Sequence, residues 1–277
     1  MNKLQLFFAF LKILLTDLGS FLKNLYHFTN EQSKKNYVLK TYAHLNHGLP
    51  DVNIMELLPG FESDVINYTY LDGTSRPIDI ALLNLLVKER KDCDYMEIGT
   101  WRGESISNVA AFAKSCTSVS LPDDEMEKGG WTEDARFQRF FSEGIPNVNH
   151  VQANSHTFDF SSLGKKFDVI FIDGDHSYKG VRIDTENAFK LLKDENSVIV
   201  WHDYGNTFEK PQWEVLAGMM DGAPREARKH IYHVSNTLCA IYHPKAIESK
   251  ITSGPQYPDK VFNIHIKAEK YEKKEKV

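Results

Sequence analysis

At 277 residues, with 42% hydrophobic and 26% charged side chains, the chain has enough apolar mass for one buried α/β core with extensions at its ends. Lysine and arginine total 33 against 38 acidic residues, a formal net charge of -5, so no overall positive field awaits a phosphate backbone and nucleic acid is excluded as the expected partner. Three widely spaced cysteines, Cys93, Cys116 and Cys239, form no CxxC pair; they fit neither a disulfide framework nor a zinc site, and a reducing cytoplasm is the expected location.

Residues 4–26 are strongly apolar, but Lys12 and Asp17 interrupt the run before the ~20 residues that a spanning helix needs, and no small-residue cleavage site follows. Gln5, Ala9, Lys12, Thr16, Ser20 and Lys23 recur at three- and four-residue steps, which leaves Leu4, Phe7, Phe8, Leu11, Leu14, Leu15, Leu18, Phe21 and Leu22 on the broad apolar face of an amphipathic helix. Such a face needs a cover: the chain's own core, a second copy in a homo-oligomer, or the membrane interface as a peripheral contact. Gly48, Pro50, Pro59 and Gly60 then punctuate the chain, so the helical extension is predicted over 1–48 and the main domain over 49–245. Residues 246–277, which end in KAEKYEKKEKV, form a polar tail.

Within the main domain, TSRPIDIALLNLLVKER predicts a helix capped by Thr74 or Ser75 with proline in its first turn. Strands and helices then alternate: DYMEIG, the helix GESISNVAAFAKS, TSVSL, the helix WTEDARFQRFFSEG, NVNHVQA, FDVIFIDG, the helix YKGVRIDTENAFKLLK and SVIVWHDY. That order predicts a doubly wound, mostly parallel, Rossmann-like sheet. HIYHV and LCAIYH are separated only by SNT, too short for a helical crossover, so they close the seven-stranded sheet as a C-terminal antiparallel hairpin.

Two places carry chemistry. Glu97-Ile98-Gly99-Thr100-Trp101-Arg102-Gly103 turns the first strand of the alternation into its helix, where glycines let a ligand approach the backbone. The spacing is GxxxG, not the GxGxxG that cradles a diphosphate, so it suits a ligand without phosphates, such as S-adenosylmethionine, with Glu97 near its ammonium group and ribose. Further on, FIDGDHSY and VIVWHDY end apolar strands in Asp173, Asp175, His176, His202 and Asp203, charged groups too costly to bury unpaired. If the two strands are neighbours, Asp173, His202 and Asp203 meet at one edge of the crevice and suit Mg²⁺ or Mn²⁺; the alternative is a metal-free cluster of acids and histidines that orders the loops.

The motifs YMEIGTWRGES, KFDVIFIDGDHSYKGVRIDTENAFKLLK, IVWHDYG and LDGTSRPIDIALL, in this order, resemble class I S-adenosylmethionine-dependent methyltransferases of the family-24 type, related to macrocin O-methyltransferase and cephalosporin hydroxylase-like proteins. The resemblance runs from about Gly48 to about Tyr242. It implies that Glu97, Gly99, Thr100, Trp101 and Gly103 line the cofactor, with Ser120 where an acidic residue usually holds the ribose and Asp123 as a substitute. Asn154 and Ser155 fall beside the adenine, and Asp173 is counted among the cofactor-binding residues. Asp173, His202 and Asp203 would bind the metal, while Asp175 or His176 would take a proton from the hydroxyl of a small-molecule or sugar acceptor. Tyr178 and Trp201 are acceptor-pocket or packing residues; Asp184 and Glu186 are expected on a solvated helix face. Two rivals remain: a membrane-associated binding protein of the same fold without turnover, and a nicotinamide-dependent oxidoreductase, disfavoured by the GxxxG spacing.

Overall fold

The computed structural model describes residues 2–254 and 256–271; the last six residues of the polar tail lie outside the described residues. Two helices come first, α1 (Lys3–Thr16) and α2 (Leu18–Thr41), followed by β1 (Asp51–Val52), α3 (Ile54–Leu57) and α4 (Pro77–Lys88). The alternating core is β2 (Asp94–Ile98), α5 (Glu104–Val109), β3 (Ser115–Ser120), α6 (Asp123–Lys128), α7 (Thr132–Ala135), β4 (Val148–Gln152), β5 (Val169–Ile172), α8 (Tyr178–Lys190) and β6 (Val198–Trp201). A small hairpin, β7 (Gly205–Thr207) and β8 (Lys210–Pro211), precedes α9 (Trp213–Gly222), β9 (Ile231–Val234) and β10 (Ala240–Tyr242).

The main sheet has the order β1-β9-β10-β6-β5-β2-β3-β4. Strands β6, β5, β2, β3 and β4 are parallel, and β10 runs antiparallel to both β6 and β9. This is the expected Rossmann-like α/β sheet with its C-terminal antiparallel pair, widened to eight strands because Asp51 and Val52 pair with His233 and Val234. β5 and β2 are buried on both faces, with Val169, Ile170, Phe171, Tyr95 and Met96 all at 0% exposure, as a sheet covered on both sides requires. Cys93, Cys116 and Cys239 are buried and free.

Several elements differ from expectation for local reasons. The single N-terminal helix is broken at Asp17, whose carboxylate accepts the Ser20 N–H and starts α2 afresh, and the two helices are bent by 113°. Helix α4 is capped at Arg76, not at Thr74 or Ser75, because Asp79 at the third helical position accepts the Arg76 N–H at 2.9 Å ahead of Pro77. The helix predicted over 131–144 keeps only α7. Arg139 adopts φ +61° and gives its N–H to the Trp101 carbonyl at 2.7 Å, and Phe141 gives its own to Arg102 at 2.8 Å, so these donors tie the segment to the loop after β2 instead of continuing a helix. Helix α9 was hidden by its glycines, which seat it on α8: a Cβ on Gly218 would lie 2.8 Å from the Tyr178 carbonyl, and one on Gly222 2.6 Å from that of Arg182.

Helix α2 is joined to the body over its second half. The Glu31 carboxylate accepts the Trp213 and Glu214 N–H groups at 2.6 and 2.9 Å, capping α9, whose own cap residue Gln212 provides no side-chain bond. Asp221 on α9 accepts the hydroxyls of Tyr37, Tyr42 and Tyr178. Tyr178 is thus part of the α2–α8–α9 joint.

Candidate active site

Parallel strands end at one edge, and the charged residues that follow β2, β5 and β6 are gathered there by the order β6-β5-β2. Gly99 turns the chain out of β2 at φ +86°, and a Cβ there would lie 2.1 Å from the Asp173 carbonyl oxygen. Gly103, at φ +79°, is held as closely by Ser142, whose Oγ would be 2.3 Å from an added Cβ. Both glycines are therefore required by the approach of neighbouring protein segments to this loop.

Glu97 is fully buried, and Tyr95 donates its hydroxyl to Glu97 Oε2 at 2.8 Å. Burial pushes its carboxyl up to about 8, against the Ser105 and Tyr95 hydroxyls, with the Asp173 charge adding to the rise. Glu97 Oε1, Ser120 Oγ and Trp101 Nε1 are buried without a hydrogen-bond partner among the described residues. A carboxylate oxygen, a hydroxyl and an indole N–H left unpaired around one loop are the mix of acceptors and donors that an amino-acid nucleoside needs, so these residues fit the expected cofactor. Thr100 is buried and its hydroxyl is bonded to that of Ser118. Asp123 is tied to Arg139 at 2.6 Å. Asn154 is half-buried and spends Oδ1 on the His156 N–H at 3.0 Å, while Ser155 is half-buried beside Asp184.

The acids and histidines converge. His176 Nε2 lies 3.0 Å from Asp203 Oδ2 and 3.6 Å from Asp173 Oδ1, and Ser75 donates its hydroxyl to Asp173 Oδ2 at 3.3 Å. His202 Nδ1 lies 3.1 Å from Asp173 Oδ1 and 3.3 Å from Asp203 Oδ1, while its Nε2 is 3.2 Å from Asp79 Oδ2. Burial opposes charge on His202, yet Asp173, Asp203 and Asp79 together raise its pKa well above the ordinary range. Burial also opposes ionisation of Asp173, but His202 and then His176 hold its carboxyl below the usual range.

Asp173, His176 and Asp203 each bring one ligand atom within 4.8 Å of the others, a spacing that fits one divalent ion. The trio differs from the expected one, with His176 in the place of His202. His202 is the more buried ring and faces carboxylates with both nitrogens, Asp79 on one side and Asp173 and Asp203 on the other. Asp175 turns away and caps the turn into α8, where Oδ1 accepts the Ser177 N–H at 2.9 Å and Oδ2 the Ser177 hydroxyl at 2.8 Å.

The sequence pattern overlooked three participants. Asp79 is fully buried behind His202 and also accepts the Leu238 N–H at 2.9 Å. Its only signal was a carboxylate at the third position of a helix opened by proline. Ser75, which touches Asp173, had no signal beyond its place before that helix. Asp184 is fully buried, not solvated, and burial pushes its carboxyl up to about 7, against the Ser155 hydroxyl. It falls on the helix stripe of Gly180, Val181, Asp184, Thr185 and Ala188, whose spacing marks a buried face. Trp201 belongs to packing, at 0% exposure with its N–H donated to Thr185 at 2.8 Å.

Residues 96–204, which span the glycine turn and both acid and histidine clusters, match the family model described as a methyltransferase domain. That match covers 109 of the 277 residues and is a likeness of this central stretch to the family. An uncharacterized protein of Acanthamoeba polyphaga mimivirus is 29% identical over 129 residues, 45% of this chain and 57% of its own length. Among solved structures, the O-methyltransferase from Bacillus cereus in complex with SAH is similar at 17% identity, with 76% of this chain and 90% of that chain covered and a TM-score of 0.39. A TDP-rhamnose 3'-O-methyltransferase of calicheamicin biosynthesis is similar at 13% identity over 60% of this chain and 77% of its own, with a TM-score of 0.40. Within the matched stretch, the residues expected at the cofactor surround the turn after β2, and the acids and histidines stand next to it at the ends of β5 and β6.

Proposed function

We propose that the protein transfers the methyl group of S-adenosylmethionine to a hydroxyl of a small molecule or sugar. The observation that carries this reading is the meeting of Asp173, His176 and Asp203 within ligand-sharing distance beside the Gly99 turn. S-adenosylmethionine, when bound, supplies a methyl group on a sulfonium, which needs an in-line nucleophile held close and relieved of its proton.

Glu97, Ser120 and Trp101 would satisfy their unpaired atoms on the cofactor and so orient it from the β2 side. His176, at the rim with its Nε2–H toward the two carboxylates, is the group to which we assign the hydroxyl proton, taken on Nδ1. Asp203 and Asp173 hold that ring in place and stabilise the imidazolium once the proton has moved. Mg²⁺ or Mn²⁺ held by the Asp173 and Asp203 carboxylates would add stabilisation of the acceptor oxyanion, with His176 kept for the proton. Asp79 holds His202 from behind and keeps a positive charge under the carboxylate pair.

The reading is tested by incubating the protein with S-adenosylmethionine and a panel of nucleotide sugars, glycosides and catechols, with magnesium or with chelator, and measuring S-adenosylhomocysteine. Hydroxyl-dependent product that His176→Ala abolishes is expected. Cofactor binding with no turnover on any hydroxyl acceptor, with or without metal, would contradict it.

A further inference from the structure

Helix α1 buries none of its residues, and α2 buries only Val38. On α1, Leu4, Leu6, Phe7, Phe8, Ile13 and Leu15 stand 46–85% exposed. At 100° per residue they spread over an arc of roughly 220°, and Gln5, Ala9, Lys12 and Thr16 fill the remaining side. The apolar character continues onto the first half of α2 through Leu18, Leu22, Leu25 and Phe28, and the ring of Phe10 meets that of Phe21 at 5.5 Å, so the two limbs form one apolar wedge.

A second copy packed on α1 would cover one stripe and leave the opposite side in water. An interfacial seat takes the whole wide apolar arc among the acyl chains and leaves the Lys12 side at the headgroups. The charge points the same way: residues 2–28 carry Lys3, Lys12 and Lys23 against Asp17 alone, in a chain whose formal net charge is -5. The wedge therefore carries a net charge of +2 on a molecule that is acidic as a whole, which suits anionic headgroups. Helix α1, 14 residues long, rises ~21 Å, short of the ~30 Å of bilayer hydrocarbon, and no single described helix is long and apolar enough to cross a membrane.

We propose that residues 3–28 seat this protein in one leaflet of an anionic lipid bilayer, with the lysines at the headgroups and the phenylalanine and leucine side chains among the acyl chains. The polar half of α2 then carries the rest of the molecule. Its Glu31 cap on α9 and its tyrosines on Asp221 tie α2 to the body, and Tyr178, which shares Asp221, opens α8 two residues after His176. The active-site rim thereby keeps a set attitude to the lipid surface.

The test is density-gradient flotation of the full chain with vesicles of phosphatidylcholine alone or of three parts phosphatidylcholine to one part phosphatidylserine. Wild type is expected to float with the anionic vesicles, at roughly tenfold higher partitioning than with neutral ones. Leu4→Glu combined with Leu15→Glu is expected to abolish flotation with an unchanged melting temperature, since both side chains are already in solvent. Lys12→Glu combined with Lys23→Glu is expected to remove the preference for phosphatidylserine. The proposal is overturned if wild type stays at the bottom of both gradients, if the glutamate variants float as well as wild type, or if light scattering shows a stable dimer that binds no vesicles. It rests on these helices alone and stands or falls independently of the methyl-transfer reading.

Discussion

Asp79 and His202 face each other at 3.2 Å, a fully buried carboxylate on a ring that is 8% exposed, and the pair joins the first helix of the main domain to the end of β6. Asp79 also accepts the Arg76 and Leu238 N–H groups, so its loss would strand a buried imidazolium and two backbone donors together. Asp79→Ala is expected to cost about 3–5 kcal/mol in urea denaturation. Asp79→Asn, which keeps one oxygen for those donors, is expected to cost less. A loss below about 1 kcal/mol for the alanine variant would show that His202 is not held as a cation by this contact.

His176 and Asp175 are adjacent in sequence and differ in role. His176→Ala is expected to lower kcat by about 10²–10⁴-fold while calorimetric affinity for S-adenosylhomocysteine stays within a few-fold. Asp175→Ala is expected to lose about 1 kcal/mol of stability from the turn into α8 and to keep kcat within about tenfold. The reverse pattern would move the proton-handling role to Asp175.

Asp184 links stability to pH. Its folded carboxyl is raised to about 7 by burial, whereas in the unfolded chain it titrates near the ordinary 3.8. Below pH 3.8 both states hold the proton, and between there and about 7 the unfolded chain releases it first, so this group makes stability fall as pH rises through that window. The full effect is roughly 4 kcal/mol. Asp184→Asn is expected to flatten the pH dependence and to be relatively more stable at pH 8 than at pH 5, read from urea midpoints. Parallel curves for the two proteins would contradict the assignment.

The carboxylates at the strand ends carry the metal expectation. Asp173→Ala and Asp203→Ala are each expected to abolish transfer and to leave S-adenosylhomocysteine affinity within a few-fold. If the site binds metal, the same variants would lose manganese binding in electron paramagnetic resonance titrations. Loss of cofactor affinity in both would place these acids on the cofactor instead.

Periodicity exposed the alternating strands of the main sheet and α8, because a doubly covered sheet writes its strands as apolar runs such as VIFI and VIVW. It also brought Asp173, His176, His202 and Asp203 to one edge, since strand ends carry charge only where the fold opens. It missed what tertiary contacts decide. Arg139 and Phe141 spend their N–H groups on another loop, so a helical pattern stayed unformed, and Gly218 and Gly222 disguised α9 because helix-to-helix contact demanded them. The division between His176 and His202 was equally hidden: it depends on Asp79, which sits 123 residues away in sequence from the ring it holds.

The central claim is a site built for S-adenosylmethionine around Glu97 and the Gly99 turn, and calorimetric titration of the full chain with S-adenosylhomocysteine measures it most directly. Saturable one-site binding, weakened at least about tenfold by Glu97→Gln, is the result this account predicts. Wild-type protein that is folded, by its melting transition, yet gives no binding heat and no ligand-induced rise in Tm would contradict it.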